Sequence, residues 1–251
     1  MKINNFLISI FFILFLSFSH AQKMNHELGV FAGAISMQTD YGQRNHFPSS
    51  YANVGVGVGL SYYIGWDVKK VKWNDRITYI KNHMKFKAEF SYMSDNFIHR
   101  GKYADGHSYN SVKLAAMKGS TKIFNIGGQL EYSLFSFSDF RKWEPYISGG
   151  YFYVSFDPDL ETSLGDWRQN PSLLPNVYLN DGIFLEKDNT TAFVFGGGTK
   201  YRMNEKFAVV FDLKWQRFLS NKVDGLDPKI DANKYREWLF FFNVGAIFKL
   251  N

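Results

Sequence analysis

The sequence predicts an all-β fold, an eight-stranded antiparallel transmembrane β-barrel with long extracellular loops. Three observations carry that expectation. Eight segments alternate apolar and polar residues, each near or above the ~9–11 residues a tilted membrane-spanning strand needs. The connections between them alternate, with one exception, between long and short, as in outer-membrane barrels. The chain is 19% aromatic and has 21 glycines, yet its mean hydropathy is only -0.25, and no apolar run beyond residue 22 would make a spanning helix.

Residues 1–21 read as a cleaved secretory signal peptide and residues 22–251 as the barrel. Lys2 gives the positive start, 6–18 the apolar run, and Ser19-His20-Ala21 the small-residue end. A retained membrane anchor is the alternative. No cysteine follows the run, which excludes a lipoprotein cysteine. With no cysteine anywhere, an exported fold must rely on closed backbone hydrogen bonding and not on disulfides. The formal charge of +6 is spread without blocks and carries no nucleic-acid signature.

The strands are expected over 26–37, 54–66, 83–94, 122–134, 143–156, 190–203, 207–219 and 238–251. Pro145 falls near the start of the fifth, where a missing N–H is tolerated. Phase then decides which face meets water. In the third segment Met84, Phe86, Ala88, Phe90 and Tyr92 oppose Lys85, Lys87 and Glu89. In the fourth, Phe124, Ile126, Leu130 and Leu134 oppose Asn125, Gln129, Glu131 and Ser133; the seventh sets Phe207, Val209, Phe211, Leu213 and Trp215 against Asp212, Lys214 and Gln216. A soluble sandwich would bury the aromatic face and keep connections short at both ends. The apolar face is therefore expected to look at lipid. The last segment places Phe240, Phe242, Val244, Phe248 and Leu250 on that face, the aromatic strand that barrel-insertion machinery is expected to read.

Eight closed strands leave an interior that side chains fill. The expected inward charges are Glu27, Lys85, Lys87, Glu89, Glu131, Glu144, Lys200, Asp212 and Lys214. An unpaired buried charge costs several kcal/mol, so these are expected to form a plug of salt bridges and not an ion path. "GVGVG" is followed by no helix and is not a phosphate loop.

The long connections are 38–53, 95–121, 157–189 and 220–237; the short ones are 136–142 and 204–206. That arrangement puts both termini in the periplasm of a Gram-negative cell. The exception is 67–82, a long periplasmic segment carrying Lys69, Lys70, Lys72, Trp73 and Arg76. It reads either as a contact for a periplasmic partner or as a turn anchored at the membrane interface by Trp66 and Trp73.

No catalytic, metal or cofactor site is expected. His99, Asp105, His107 and Ser108 share a loop, but a hydrolase needs its nucleophile and base held in register. Asp157, Asp159, Glu161 and Asp166 could offer oxygens to calcium, or salt-bridge lipopolysaccharide through divalent ions, yet lack ordered ligand spacing. Trp167, Leu173, Leu174, Val177, Tyr178, Ile183 and Phe184 make 157–189 too apolar for a free loop. It is expected either to fold over the mouth or to meet a partner.

"HELGVFAG", "FNIGGQLEYSLFSF" and "WEPYISGGYFYVSFDPD", spanning roughly residues 26–160, resemble a Bacteroidota family of small outer-membrane β-barrels of unknown function. That family includes the PorG-like component of type IX secretion. The resemblance implies a non-enzymatic barrel without cofactors; the PorG-like component itself associates with a periplasmic secretion ring, and the same role here would require a periplasmic contact surface, for which 67–82 is the candidate. Two further roles remain open from the residues: a barrel binding a ligand or surface partner through its outer loops, and a minor channel, which a filled lumen disfavours.

Overall fold

The computed structural model describes residues 24–43, 46–50, 52–66, 76–135, 142–179, 181–230 and 236–250. The expected signal peptide therefore lies outside the described residues. Eight strands follow in order: β1 (Met24–Gln38), β2 (Val54–Trp66), β3 (Met84–Ile98), β4 (Met117–Ser133), β5 (Trp143–Thr162), β6 (Asp188–Arg202), β7 (Phe207–Phe218) and β8 (Trp238–Lys249). Each pairs antiparallel with the next, and β8 returns to β1 in register from Glu27↔Lys249 to Gln38↔Trp238. The barrel is closed, with no strand edge left along its wall. Three short helices sit in the connections: α1 (Phe47–Ser50), α2 (Arg76–His83) and α3 (Tyr109–Ala116).

All eight expected segments are strands, but four extend farther toward the long-loop end. β3 runs to Ile98, β4 starts at Met117, β5 continues to Thr162 and β6 starts at Asp188. Along β4 and β5 the outward positions there are Lys118, Ser120 and Lys122 opposite Glu161, Asp159 and Asp157. Inward positions are mostly apolar, with Phe97, Met117 and Leu160 fully buried alongside Asp95 and Thr121. The outward face turns polar while the ladder goes on, so the change of polarity marks the end of the apolar belt and not the end of the strand. His83, expected to open β3, instead closes α2, its Nδ1 2.8 Å from the Tyr79 carbonyl oxygen.

The belt is continuous around the wall. Leu28, Val58, Leu60, Phe90, Ile126, Leu130, Ile147, Phe195, Leu213 and Phe242 are all exposed. From Phe124 to Leu134 the apolar stripe runs about 33 Å along the strand, or about 25 Å high at the usual barrel tilt, which matches a bilayer's hydrocarbon thickness. Aromatic pairs edge it. Trp143–Tyr201 (4.7 Å between ring centres) and Phe207–Phe248 (5.0 Å) lie at the short-turn end; Tyr92–Phe124 (4.7 Å) and Trp215–Trp238 (5.0 Å) lie toward the other. Phe240, Phe242, Val244 and Phe248 all point outward on β8, and the N–H of Leu250 extends the ladder to the His26 carbonyl at 2.8 Å.

The interior is divided across its height. The short-turn half holds the nine paired charged residues, whereas the long-loop half is chiefly a hydrophobic core that includes Ile35, Met93, Ile123, Phe152, Val194 and Phe241, with Asp95 and Thr121 buried within it. Paired charges therefore occupy the lower half, and apolar side chains dominate the upper. Residues 151–156, "YFYVSF", show why: Tyr151 and Tyr153 face out while Phe152, Val154 and Phe156 face in. A strand apolar on both faces loses its alternation.

Placing a charge in the belt tests its solvent. Leu130→Arg, near mid-height, should cost about 2–4 kcal/mol when unfolding by urea is followed in lipid vesicles, because a midplane arginine is desolvated. Lys122→Arg, above the belt, should be neutral in the same assay.

Candidate functional site

The lower lumen brings together all nine charged residues expected inside. Lys85 Nζ lies 3.0 Å from one Glu27 oxygen, 3.2 Å from the other and 3.9 Å from Glu144. Ser133 Oγ donates to Glu144. Lys200 pairs with Glu131 and sits over the rings of Tyr63 (4.7 Å) and Tyr146 (4.9 Å). Higher up, Lys87 lies 2.9 Å from Glu89 and 3.7 Å from Asp212, and Lys214 bridges the same two acids. Gln129 Nε2 donates to Glu89 at 3.1 Å. A neutral layer closes the network, in which Gln216 donates to Asn125 (3.1 Å) and Asn125 to Ser91 (3.3 Å). Four lysines thus face five acids, and Glu27, Lys85, Glu144 and Lys200 among them line a cavity of about 180 Å³ at the short-turn end. Each ammonium touches a carboxylate, which offsets the cost of its desolvation.

The other sequence candidates separate. Ser108 Oγ accepts the N–H of Ser111 at 3.1 Å and caps α3, while His99 is buried against Tyr41 (ring centres 4.5 Å apart) and Tyr178 (6.1 Å). The loop constellation is therefore not a nucleophile–base pair. Asp157, Asp159 and Glu161 stand on the outward face of β5 at every second residue, not in a loop, and Asp159 pairs with Arg168 at 3.2 Å. At the short-turn end Arg76 is exposed on α2 beside exposed Ile77, Tyr79 and Ile80. Lys69, Lys70, Lys72 and Trp73 lie outside the described residues.

Of the two alternatives for 157–189, folding over the mouth is what the structure shows. Leu174 and Tyr178 are buried on the upper core, and Trp167, Ile183 and Phe184 pack against it. The Trp167 indole N–H donates to the Leu160 carbonyl at 3.0 Å, and Lys113 Nζ donates to the Leu174 carbonyl at 3.1 Å. The β7–β8 connection joins this cap through Phe184 N–H to the Gly225 carbonyl (2.9 Å). Tyr41 reaches down from the first connection until its ring fills the space where a Cβ on Gly119 would stand.

Two buried acids latch the β7–β8 connection. Asp224 accepts the N–H groups of Asp40 (2.8 Å) and Leu226 (2.9 Å); Glu237 accepts those of Val223 (2.9 Å) and Asp224 (3.3 Å). The two carboxyls lie close enough to act on each other's charge. Burial pushes both up, Glu237 the further because the Asp224 charge adds to it.

Between these loops lies a cavity of about 490 Å³, lined among others by Tyr41, His99, Leu114, Pro175, Tyr178 and Ile230. Burial pulls the His99 imidazole down to about 3, so it is neutral at any ordinary pH, and its Nε2 has no partner in the protein. Sequence reasoning missed this cavity because four separate connections build it. The excess of apolar residues in 157–189 was its only trace.

The sequence matches the family described as outer membrane protein beta-barrel domain over residues 12–248. The chain belongs to that family. It is an outer-membrane β-barrel. Solved structures of similar fold include neisserial surface protein A (8% identity, 91% of this chain and 100% of that one, TM-score 0.49). A major outer membrane protein from Thermus thermophilus is similar at 11% identity over 90% and 99% of the two chains, TM-score 0.49. The attachment invasion locus protein Ail of Yersinia pestis is similar at 9% identity over 90% and 99%, TM-score 0.43. Comparison with curated proteins gives no match.

Within this barrel Glu89 is the acid shared by two buried lysines. Glu89→Gln should cost about 3–5 kcal/mol in urea unfolding read by heat-modifiable gel mobility, because Lys87 and Lys214 are then left with Asp212 alone. The pH prediction concerns the latch. Its acids have raised pKa values when folded, so the closed cap holds protons that the open loop releases. The contribution is full below about pH 4, the ordinary carboxylate range, and is lost as pH rises through the raised values. Limited proteolysis of 220–237 should therefore quicken with rising pH, and Glu237→Gln should flatten that dependence while keeping the loop closed.

Proposed function

We propose that this chain is a non-enzymatic, non-conducting barrel that works by binding a ligand or partner at its long-loop end. That end faces the exterior of a Gram-negative cell, and both termini face the periplasm. The observation that carries the reading is the cap: the long connections fold onto an apolar upper lumen, and four of them line a cavity where an open mouth would otherwise stand. Paired lumen charges beneath argue against a channel. The belt meets outer-membrane lipid, the charged rim of β4 and β5 meets lipopolysaccharide, and β8 is read by the barrel-insertion machinery during assembly.

A second reading is favoured by one observation at the opposite end. α2 exposes Ile77, Tyr79 and Ile80 beside Arg76, a surface suited to a protein partner. It would suit an assembly role, a PorG-like accessory of type IX secretion in a Bacteroidota cell contacting periplasmic ring proteins.

Two measurements decide between these. Planar bilayers should show no conductance above background, and a mixed library of glycans and small molecules should yield ligands that raise the temperature of heat-modifiable unfolding. If no compound shifts that temperature while Ile77→Glu/Ile80→Glu removes co-purifying periplasmic proteins, binding at the cap is wrong and the assembly role stands.

A further inference from the structure

We propose that the cap cavity binds a small uncharged ring compound bearing a hydroxyl group, with His99 Nε2 as its hydrogen-bonding partner. The proposal rests on reading the long-loop end as a binding surface and adds the chemistry of what is bound. Four features of the cavity set that chemistry.

Its volume, about 490 Å³, falls within the roughly 300–1,000 Å³ of small-molecule sites. Its walls are chiefly apolar or aromatic: Leu114, Pro175, Val177, Pro228 and Ile230 join the rings of Tyr41 and Tyr178. Such walls favour an apolar ring body, with Thr39, Asp40, Gln43 and Asn110 making up the polar part of the lining. The third feature is His99. It is 8% exposed and clamped against Tyr41, and its Nε2 makes no hydrogen bond in the protein. A buried polar atom without a partner is costly, and a position that a ligand completes removes that cost. A hydroxyl both donates and accepts, so it satisfies Nε2 whichever tautomer is present.

The fourth feature is charge. His99 stays neutral because it is desolvated, so it cannot form an ion pair with an anion. Burial raises Glu237, Tyr41 and Tyr178, and the Asp224 charge adds to the rise of all three, so the field near the cavity opposes carboxylates. Arg100 lines the cavity as an exposed side chain and does not form a buried anion clamp. An uncharged ligand fits this balance.

The test uses the full mature barrel in nanodiscs and three probes observed by ¹⁹F NMR: 4-fluorophenol, fluorobenzene and 4-fluorobenzoate. The expected order is 4-fluorophenol tightest, by about fivefold or more over fluorobenzene, the worth of one hydrogen bond, with 4-fluorobenzoate weakest. His99→Phe keeps the ring and deletes Nε2; it should erase the difference between the first two probes while heat-modifiable mobility stays normal. Val177→Trp, which fills the cavity, should abolish binding of both. Equal affinity of phenol and benzene probes for the native barrel overturns the proposal, as does tightest binding of the benzoate, indifference to His99→Phe, or no saturable binding at all. Any of these leaves the wider reading intact if library ligands still stabilise the native cap; only loss of those ligands as well would remove both.

Discussion

Closure is the constraint on which the rest depends. Hydrocarbon offers no partner to a backbone N–H or C=O, so a strand inside a bilayer must find all its partners in neighbouring strands. Here the registers from β1–β2 round to β8–β1 supply them without an edge. Closing only eight strands then fixes the second problem. Every other side chain is forced into an interior just wide enough to be filled, and whatever sits there must pair or pack.

The protein solves that problem in two ways at two heights. Toward the short turns it pairs charges, with Glu89 serving Lys87 and Lys214 together. Aromatic rings border the ammonium groups: Lys214 lies 4.2 Å from the centre of Phe31 and Lys200 4.7 Å from that of Tyr63. The rings provide weak electrostatic support where water is excluded. Toward the long loops the same inward positions carry Met93, Ile123, Phe152 and Phe241, which fill most of the space by apolar packing around the buried Asp95 and Thr121. Neither half depends on lipid for its interior, whereas the outward face does.

Legibility followed periodicity. Strand number, order and inward charges could be read because Lys85, Lys87 and Glu89 alternate with Phe86, Ala88 and Phe90, and only one phase puts aromatics in lipid. The strand ends were misread for a physical reason. Sequence alternation reports contrast between two faces, and at Lys118–Lys122 and Asp157–Glu161 the outward face became polar while the inward face stayed mostly apolar, so the contrast changed sense within an unbroken ladder. The apolar upper lumen was obscured by the converse effect at 151–156, where both faces are apolar. His99 was visible as a residue of interest, but as part of a loop cluster with Ser108. Its actual neighbours, Tyr41 and Tyr178, are far away in sequence and meet it only because three connections converge.

The division of the lumen also explains why the cap can exist. A loop folds onto a surface only if burying its side chains outweighs the ordering of its backbone, at about 1–2 kcal/mol per residue. A lumen polar to its rim would present water-loving groups to the loops and give them nothing to cover. With Met37, Phe97, Met117, Leu160 and Phe218 lining its upper end, the barrel instead offers an apolar floor, and Tyr41, Leu174, Tyr178, Val223 and Leu226 descend onto it. Four connections that meet over one floor do not tile it without gaps, and the space left among them is the cavity beside His99. The apolar half of the lumen is thus what converts long connections into a structured cap.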